Sequence, residues 1–245
     1  MRLNKFLAHS GTGSRRMCDD LVFQGRVTVN KSIIKEPGTD IDPEHDCVTV
    51  DGERVELKKV YTYIKLHKPA GYITSRKDPH YSRTVMDLVP RILDVRPVGR
   101  LDVDTTGVLL MTDDGDLLHK LTHPRHEVEK KYDVWLKWPP NNGDPETELS
   151  KGIILENGDR VKGEAHPQNS KKTHYLVVLR EGKKREIKRI FRYFGTRVIR
   201  LHRFEFAGIR VDDLAEGKWK KLTHQEIEHL KALVNAGSMT PAHTL

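Results

Sequence analysis

Arg100 and Asp102 stand two residues apart in Val98-Gly99-Arg100-Leu101-Asp102-Val103-Asp104-Thr105-Thr106-Gly107, a glycine-bounded segment that runs into Val108-Leu109-Leu110-Met111. The apolar run predicts a buried strand, so the segment before it is a turn anchored to the core. Such a turn can hold a carboxylate rigidly and leave it open to a substrate. A carboxylate placed there could attack as a nucleophile, remove a proton or bind a metal ion. The guanidinium beside it suits a phosphate. A second candidate stretch is Glu181-Gly182-Lys183-Lys184-Arg185-Glu186-Ile187-Lys188-Arg189-Ile190-Phe191, in which Ile187, Ile190, Phe191 and Phe194 recur at helical spacing and Gly195 stops the helix. Lys184, Arg185, Lys188, Arg189 and Arg192 then occupy the remaining sides. Tyr132 lies in the alternating run Lys130–Val134, where pattern alone makes it a core strand residue.

Two metal readings follow from the carboxylates. Asp102, Asp104, Thr106, Gly107 and Asp113 fall at calcium-loop positions, but Val108-Leu109-Leu110 fills the loop's second half as a strand, and the last position lacks its Glu. A magnesium nuclease could use Asp102, Asp104, Asp113 and Asp114. An extended turn would send Asp102 and Asp104 to opposite sides and divide that set. His123 and His126, beside Pro124, suit turn and backbone roles better than a metal site.

Charge narrows the partners. The net charge is +8, and it is concentrated. From Lys171 to Arg203 there are 12 Lys/Arg against two Glu, and the first 35 residues hold seven Lys/Arg against Asp19 and Asp20. Glu36 to Glu56 is acidic, with eight carboxylates against Arg54. Two separate basic regions fit a protein that grips a phosphate backbone at two places. No run of about 18 apolar residues is present to span a membrane. Met1-Arg2-Leu3-Asn4-Lys5 opens no secretory signal, so a cytoplasmic location is expected. Cys18 and Cys47 have no partner at metal-site spacing and are expected as reduced, mostly buried thiols.

The elements that must position these residues fall into two groups. Residues 1–56 read as two helices and a hairpin. Leu3, Phe6 and Leu7 share one face. Ser14 opens a second helix that buries Met17, Leu21 and Val22, and strands follow at Arg26–Asn30 and Cys47–Val50. Arg2, Lys5, Arg15, Arg16, Arg26 and Lys31 stay on polar sides, and Ser14-Arg15-Arg16 marks a helix start that favours an anion. Glu56–Lys59 reads as a linker. A second domain over 60–236 is predicted to have strands at 61–66, 107–112, 130–136, 174–180 and 197–203. Its helices are predicted at 116–121, 145–151, 185–194 and from Thr223, leaving 237–245 as a flexible tail. Strands outnumber helices without alternating with them, which predicts an α+β fold with a mixed, largely antiparallel sheet.

Gly99-Arg100-Leu101-Asp102, Lys130-Lys131-Tyr132 and the Lys188 helix together resemble the pseudouridine synthases, in the branch that modifies uridines of bacterial ribosomal RNA. Lys68-Pro69-Ala70-Gly71-Tyr72, Asp113-Asp114-Gly115-Asp116-Leu117 and Thr122-His123-Pro124-Arg125-His126 extend the similarity, and the N-terminal order resembles the small S4-type RNA-binding module. The resemblance implies base flipping without cofactor or metal, and an essential Asp102. That carboxylate would attack carbon 6, attack the anomeric carbon or remove a sugar proton. It implies that Arg100 enters the space left by the flipped nucleotide, Tyr132 stacks on the base, Ile187 lines the uracil pocket and Lys188 pairs with Asp102. RNA contacts would come from Arg2, Lys5, Ser14, Arg15, Arg16, Arg26, Lys31, Lys184 and Arg189. Many relatives carry His-Gln where this chain has Arg185-Glu186. Ribosomal RNA, free or in an assembly intermediate, is the expected partner of a monomer with no membrane contact. The rival class is a non-catalytic RNA-binding or ribosome-assembly protein, which needs only the N-terminal module and the basic helix.

Overall fold

A computed structural model describes residues 1–76 and 78–236, and the expected flexible tail at 237–245 lies outside the described residues. The chain divides into two compact units, Met1–Tyr61 and the remainder from Thr62.

In the first unit, α1 (Leu3–His9) and α2 (Arg15–Phe23) precede β1 (Val27–Val29), β2 (Ser32–Ile33), β3 (Val48–Val50) and β4 (Glu53–Arg54). The four strands form one small antiparallel sheet in the order β2-β1-β3-β4, two short hairpins where one was expected. The second hairpin exists because Asp51 and Gly52 both take positive φ, the requirement of a tight two-residue turn. Leu3, Phe6, Leu7, Cys18, Val22, Val27, Ile41 and Val48 make the core. Met17 was expected inside and is exposed, because its side chain folds back over Gly13, where a Cβ would sit 2.0 Å from its Cε. Cys18 takes its place one position on. Cys47, expected buried, is exposed.

The second unit opens with β5 (Tyr63–Lys68), β6 (Arg96–Pro97), β7 (Thr106–Thr112), α3 (Gly115–Thr122), β8 (Lys130–Leu136) and α4 (Pro145–Lys151). There follow β9 (Ile153–Ile154), β10 (Arg160–Val161), β11 (Gly163–Pro167), β12 (His174–Leu179), α5 (Glu186–Tyr193), β13 (Val198–Phe206), β14 (Ile209–Arg210), β15 (Trp219–Lys221) and α6 (His224–Ala236). The main sheet runs β11-β12-β8-β13-β7-β5-β15, with β14 on β13 and β6 on β7; β9 and β10 pair separately. Among the strands of the described residues only β13 and β7 pair parallel, so the predicted mixed, largely antiparallel α+β architecture holds.

Both faces of the sheet's middle are covered. Ile64, Leu66, Leu109, Met111, Val134, Tyr175, Val177, Ile190 and Phe191 pack on one side. Val108, Leu110, Leu117, Leu121, Phe206, Leu230 and Val234 pack on the other. The alternation of β7 into two cores explains its unbroken apolar sequence. Among the described residues no helix is long and apolar enough to cross a membrane.

Candidate active site

The turn before β7 is held from beneath. Lys68, at the end of β5, is fully buried, and its ammonium donates to the carbonyls of Pro69 (3.0 Å), Asp102 (3.1 Å) and Thr105 (2.9 Å). Gly71 N–H donates to Val103 O at 2.7 Å, and the Thr74 hydroxyl both donates to Leu101 O and accepts from Leu101 N–H. The Lys-Pro-Ala-Gly segment thus clamps the backbone around Asp102. Burial pushes the Lys68 ammonium down to about 8, against the pull of Asp104 and Asp102.

Within the turn, Thr105 N–H donates to Asp102 O at 3.1 Å, which curls the chain. Asp102 and Asp104 therefore do not diverge, as an extended segment would make them. Lys188 on α5 reaches both: its Nζ lies 3.2 Å from Asp102 Oδ2 and makes a still closer contact with Asp104 Oδ1. Burial works against the charged form of Asp104, but the Lys188 hydrogen bond and charge hold its carboxyl below the usual range. An ammonium already occupies the space a shared metal ion would need. The other carboxylates of the nuclease reading are used elsewhere: Asp113 accepts from Thr62 N–H, and Asp114 caps α3 at Asp116 N–H and Leu117 N–H.

The turn forms one wall of a cleft of about 220 Å³ that is also lined by Arg100, Tyr132, Lys130, Glu186, Ile187, Lys188, Leu201 and Arg203. Tyr132 and Lys130 reach it because both point to one face of β8. Tyr132 is also a core residue, so the strand pattern and the pocket role describe the same side chain. Burial raises its phenol's pKa, opposed by the adjacent Arg203 guanidinium. Arg203 is itself buried; its Nε and Nη2 both donate to Val108 O, at 3.0 and 2.8 Å, and its guanidinium lies over the Phe206 ring. Lys130 donates to Val128 O at 2.7 Å, and burial pushes it down to about 8.

The fourth wall is the start of α5. Ile187, Ile190 and Phe191 bury the helix, so Lys188 is turned toward Asp102. Arg185 caps the helix in the left-handed region at φ 52°. Glu186 is buried at 5% exposure; its Oε2 accepts from Lys183 N–H, and its Oε1 has no hydrogen-bond partner among the described residues. Desolvation raises this carboxyl to about 7, with the nearby Glu181 adding to the shift.

The structure brings Arg100, Asp102, Tyr132, Ile187 and Lys188 to one cleft, Arg100 being exposed on its wall. The expected RNA-contact residues divide. In the first unit Arg2, Arg15, Arg16 and Lys31 are exposed and Lys5 is half-buried, while Ser14 caps α2 at Met17 N–H. Arg26 is engaged by Asp51 through two hydrogen bonds, the Nε one at 2.9 Å. In the second unit Lys184 is exposed, whereas Arg189 is drawn to Asp159 at 2.7 Å. The sequence did not single out Lys130, Glu186 and Arg203, which also line the cleft, or Lys68 beneath the turn, and it offered Asp104 only as a metal ligand. Charged residues read from sequence as surface, and only the tertiary fold shows which of them reach the cleft and its turn.

Residues 62–193 match the RNA pseudouridylate synthase family, and residues 1–47 match the S4 domain. The chain is 34% identical over 241 residues to the ribosomal large subunit pseudouridine synthase B of Bacillus subtilis (strain 168), covering 96% of this chain and 98% of that protein. It is 37% identical over 229 residues to the ribosomal small subunit pseudouridine synthase A of Escherichia coli (strain K12), covering 93% and 98%. A crystal structure of a pseudouridylate synthase superposes with a TM-score of 0.68 at 31% identity, over 94% of this chain and 99% of that one. With an aspartate and a lysine paired at a cleft floored by a strand tyrosine, and with relatives along nearly its whole length, the chain belongs to the RNA pseudouridylate synthase family.

Proposed function

We propose that this enzyme isomerises a uridine of ribosomal RNA to pseudouridine, with Asp102 as the reactive carboxylate. The observation that carries the assignment of Asp102 is its contact with Lys188, 3.2 Å away, at a cleft shared with Tyr132. The isomerisation breaks the bond from the sugar to N1 of uracil, turns the base and rejoins the sugar to carbon 5. The target must first leave its stack, because its reacting atoms are out of reach inside a helix. Arg100 occupies the vacated space and holds the backbone phosphate. Tyr132 stacks on the extruded base, and Ile187 closes the apolar side of the pocket. Lys188 keeps Asp102 ionised as the base enters and water leaves. Support for a ribosomal substrate comes from the relatives' names and from the match to the S4 domain. The protein acts as a monomer in the cytoplasm, without cofactor or metal, and Arg2, Lys5, Arg15, Arg16, Lys31 and Lys184 contact the RNA.

The test is Asp102→Asn. The variant binds ribosomal RNA as the parent does and forms no pseudouridine, and a chelator leaves the parent's activity unchanged. Pseudouridine formation by the variant would remove Asp102 from the reaction, and loss of activity with chelator would restore the nuclease-like metal reading. Mapping pseudouridines in both ribosomal RNAs from cells with and without the protein identifies the nucleotide.

A further inference from the structure

We infer that Asp104 is a positioning residue for this reaction, which shares the Lys188 ammonium with Asp102 and so leaves the reactive carboxylate only partly paired. The inference rests on the roles proposed for Asp102 and Lys188. Lys188 is 14% exposed and Asp104 65%, so no packing orients Asp104; the curled turn and the lysine do. The tighter of the two Lys188 contacts goes to Asp104, not to Asp102. Beneath the same turn the Lys68 ammonium feels Asp104 and Asp102 together. Lys188 thus contacts both carboxylates, and Lys68 lies within electrostatic reach of both. Without Asp104, both lysines would bear on Asp102 alone.

The chemistry asks for that division. A carboxylate with no cation takes up a proton once it is desolvated. One that is clamped by cations stays ionised but holds its electron pair less available for attack or proton removal. Sharing Lys188 keeps Asp102 charged and still reactive. The groups that bear on this cluster are Lys188 and Arg185 from α5, Lys68 from β5, Arg203 from β13, Tyr132 from β8 and Glu216 before β15. Titration therefore belongs to the set, and the acid limb of the rate reports it as one unit.

Replacing Asp104 by Asn removes a negative charge from the cluster and lets Lys188 settle on Asp102. Both changes favour the charged form of the cluster, so the acid limb of the rate moves to lower pH. The experiment uses the full chain with small- and large-subunit ribosomal RNA transcripts carrying tritium at uridine carbon 5, whose release reports rejoining at that carbon. In Asp104→Asn, kcat falls roughly ten- to a hundredfold at little-changed KM. The acid limb moves to lower pH. Asp104→Glu regains most of the rate. In a Lys188→Ala background, Asp104→Asn adds less than about a twofold further loss, because the residue acts through the lysine. An unmoved acid limb, a full additional loss without Lys188, or a glutamate no better than asparagine would each overturn the role of Asp104 while leaving Asp102 in place. If the parent releases no tritium, the isomerase assignment falls and takes this inference with it.

Discussion

Glu186 is a carboxyl inside the protein with one oxygen held by Lys183 N–H and the other without a donor among the described residues. Desolvation raises it to about 7 from the ordinary 4.5. The native state therefore keeps its proton between about 4.5 and 7, where the unfolded chain releases it. The stability this contributes is complete below 4.5 and is lost as pH rises through 7. Glu186→Gln keeps the shape and removes the ionisation. Measured by urea unfolding, the variant lacks the fall in stability between about pH 5 and 7. It stands above the parent at pH 8 by roughly 1–3 kcal/mol. Parallel curves for the two proteins would mean that Glu186 is ionised and accommodated at neutral pH.

One turn and the strand after it decide where the reactive groups sit. Gly107 lies in the parallel pairing of β7 with β13, opposite Arg203, and takes φ 114°. A Cβ there would lie 2.1 Å from Arg203 O. Gly107→Ala therefore forces the two strands apart or strains the backbone, at about 3–5 kcal/mol. Calorimetry would record this as a fall of roughly 6–20 °C in the second unit's midpoint, and an unchanged midpoint would show that the strands can spread freely. Activity falls too, since Arg203 and Tyr132 lie behind that pairing. Much of this architecture is legible in the chain. The strand from Thr106, the tyrosine strand, α4, and α5 with its glycine stop follow from period and punctuation, because burial on one face leaves a period in the sequence. What is illegible depends on backbone closing over distance. Lys68 enters the sequence reading only as part of Lys-Pro-Ala-Gly-Tyr, and only the return of residues 102–105 onto it supplies the carbonyls of Asp102 and Thr105. Asp104 reads as diverging from Asp102 until one backbone hydrogen bond curls the turn. Met17 and Cys18 exchange places because Gly13 leaves room for a folded-back side chain, a local detail that a helical period of 3.6 does not carry.

At the scale of the whole chain, charge and core are divided differently. The first unit has its own hydrophobic cluster, from Leu3 to Val48, and ten Lys/Arg against ten Asp/Glu through Tyr61. All of the +8 net charge thus resides in the second unit, which also contains the cleft. If RNA is drawn by net charge, the second unit supplies the long-range attraction, and the contacts proposed for Arg2, Lys5, Arg15, Arg16 and Lys31 add locally. Arg26 is paired with Asp51 on the surface. A protein beginning at Thr62 should therefore fold, keep the chemistry on a short RNA that presents the target, and lose affinity for intact ribosomal RNA. Each phosphate contact on a single strand contributes about 0.7 to the slope of log affinity against log salt. Removing four or five contacts lowers that slope by roughly 3, measured by filter binding between 50 and 200 mM salt. Arg26→Ala in the full chain should change the slope by less than a single contact, since its charge is already answered. Equal affinity and equal slope for the truncated and full proteins would show that the N-terminal module reads no phosphate, and recognition would then rest on the second unit alone.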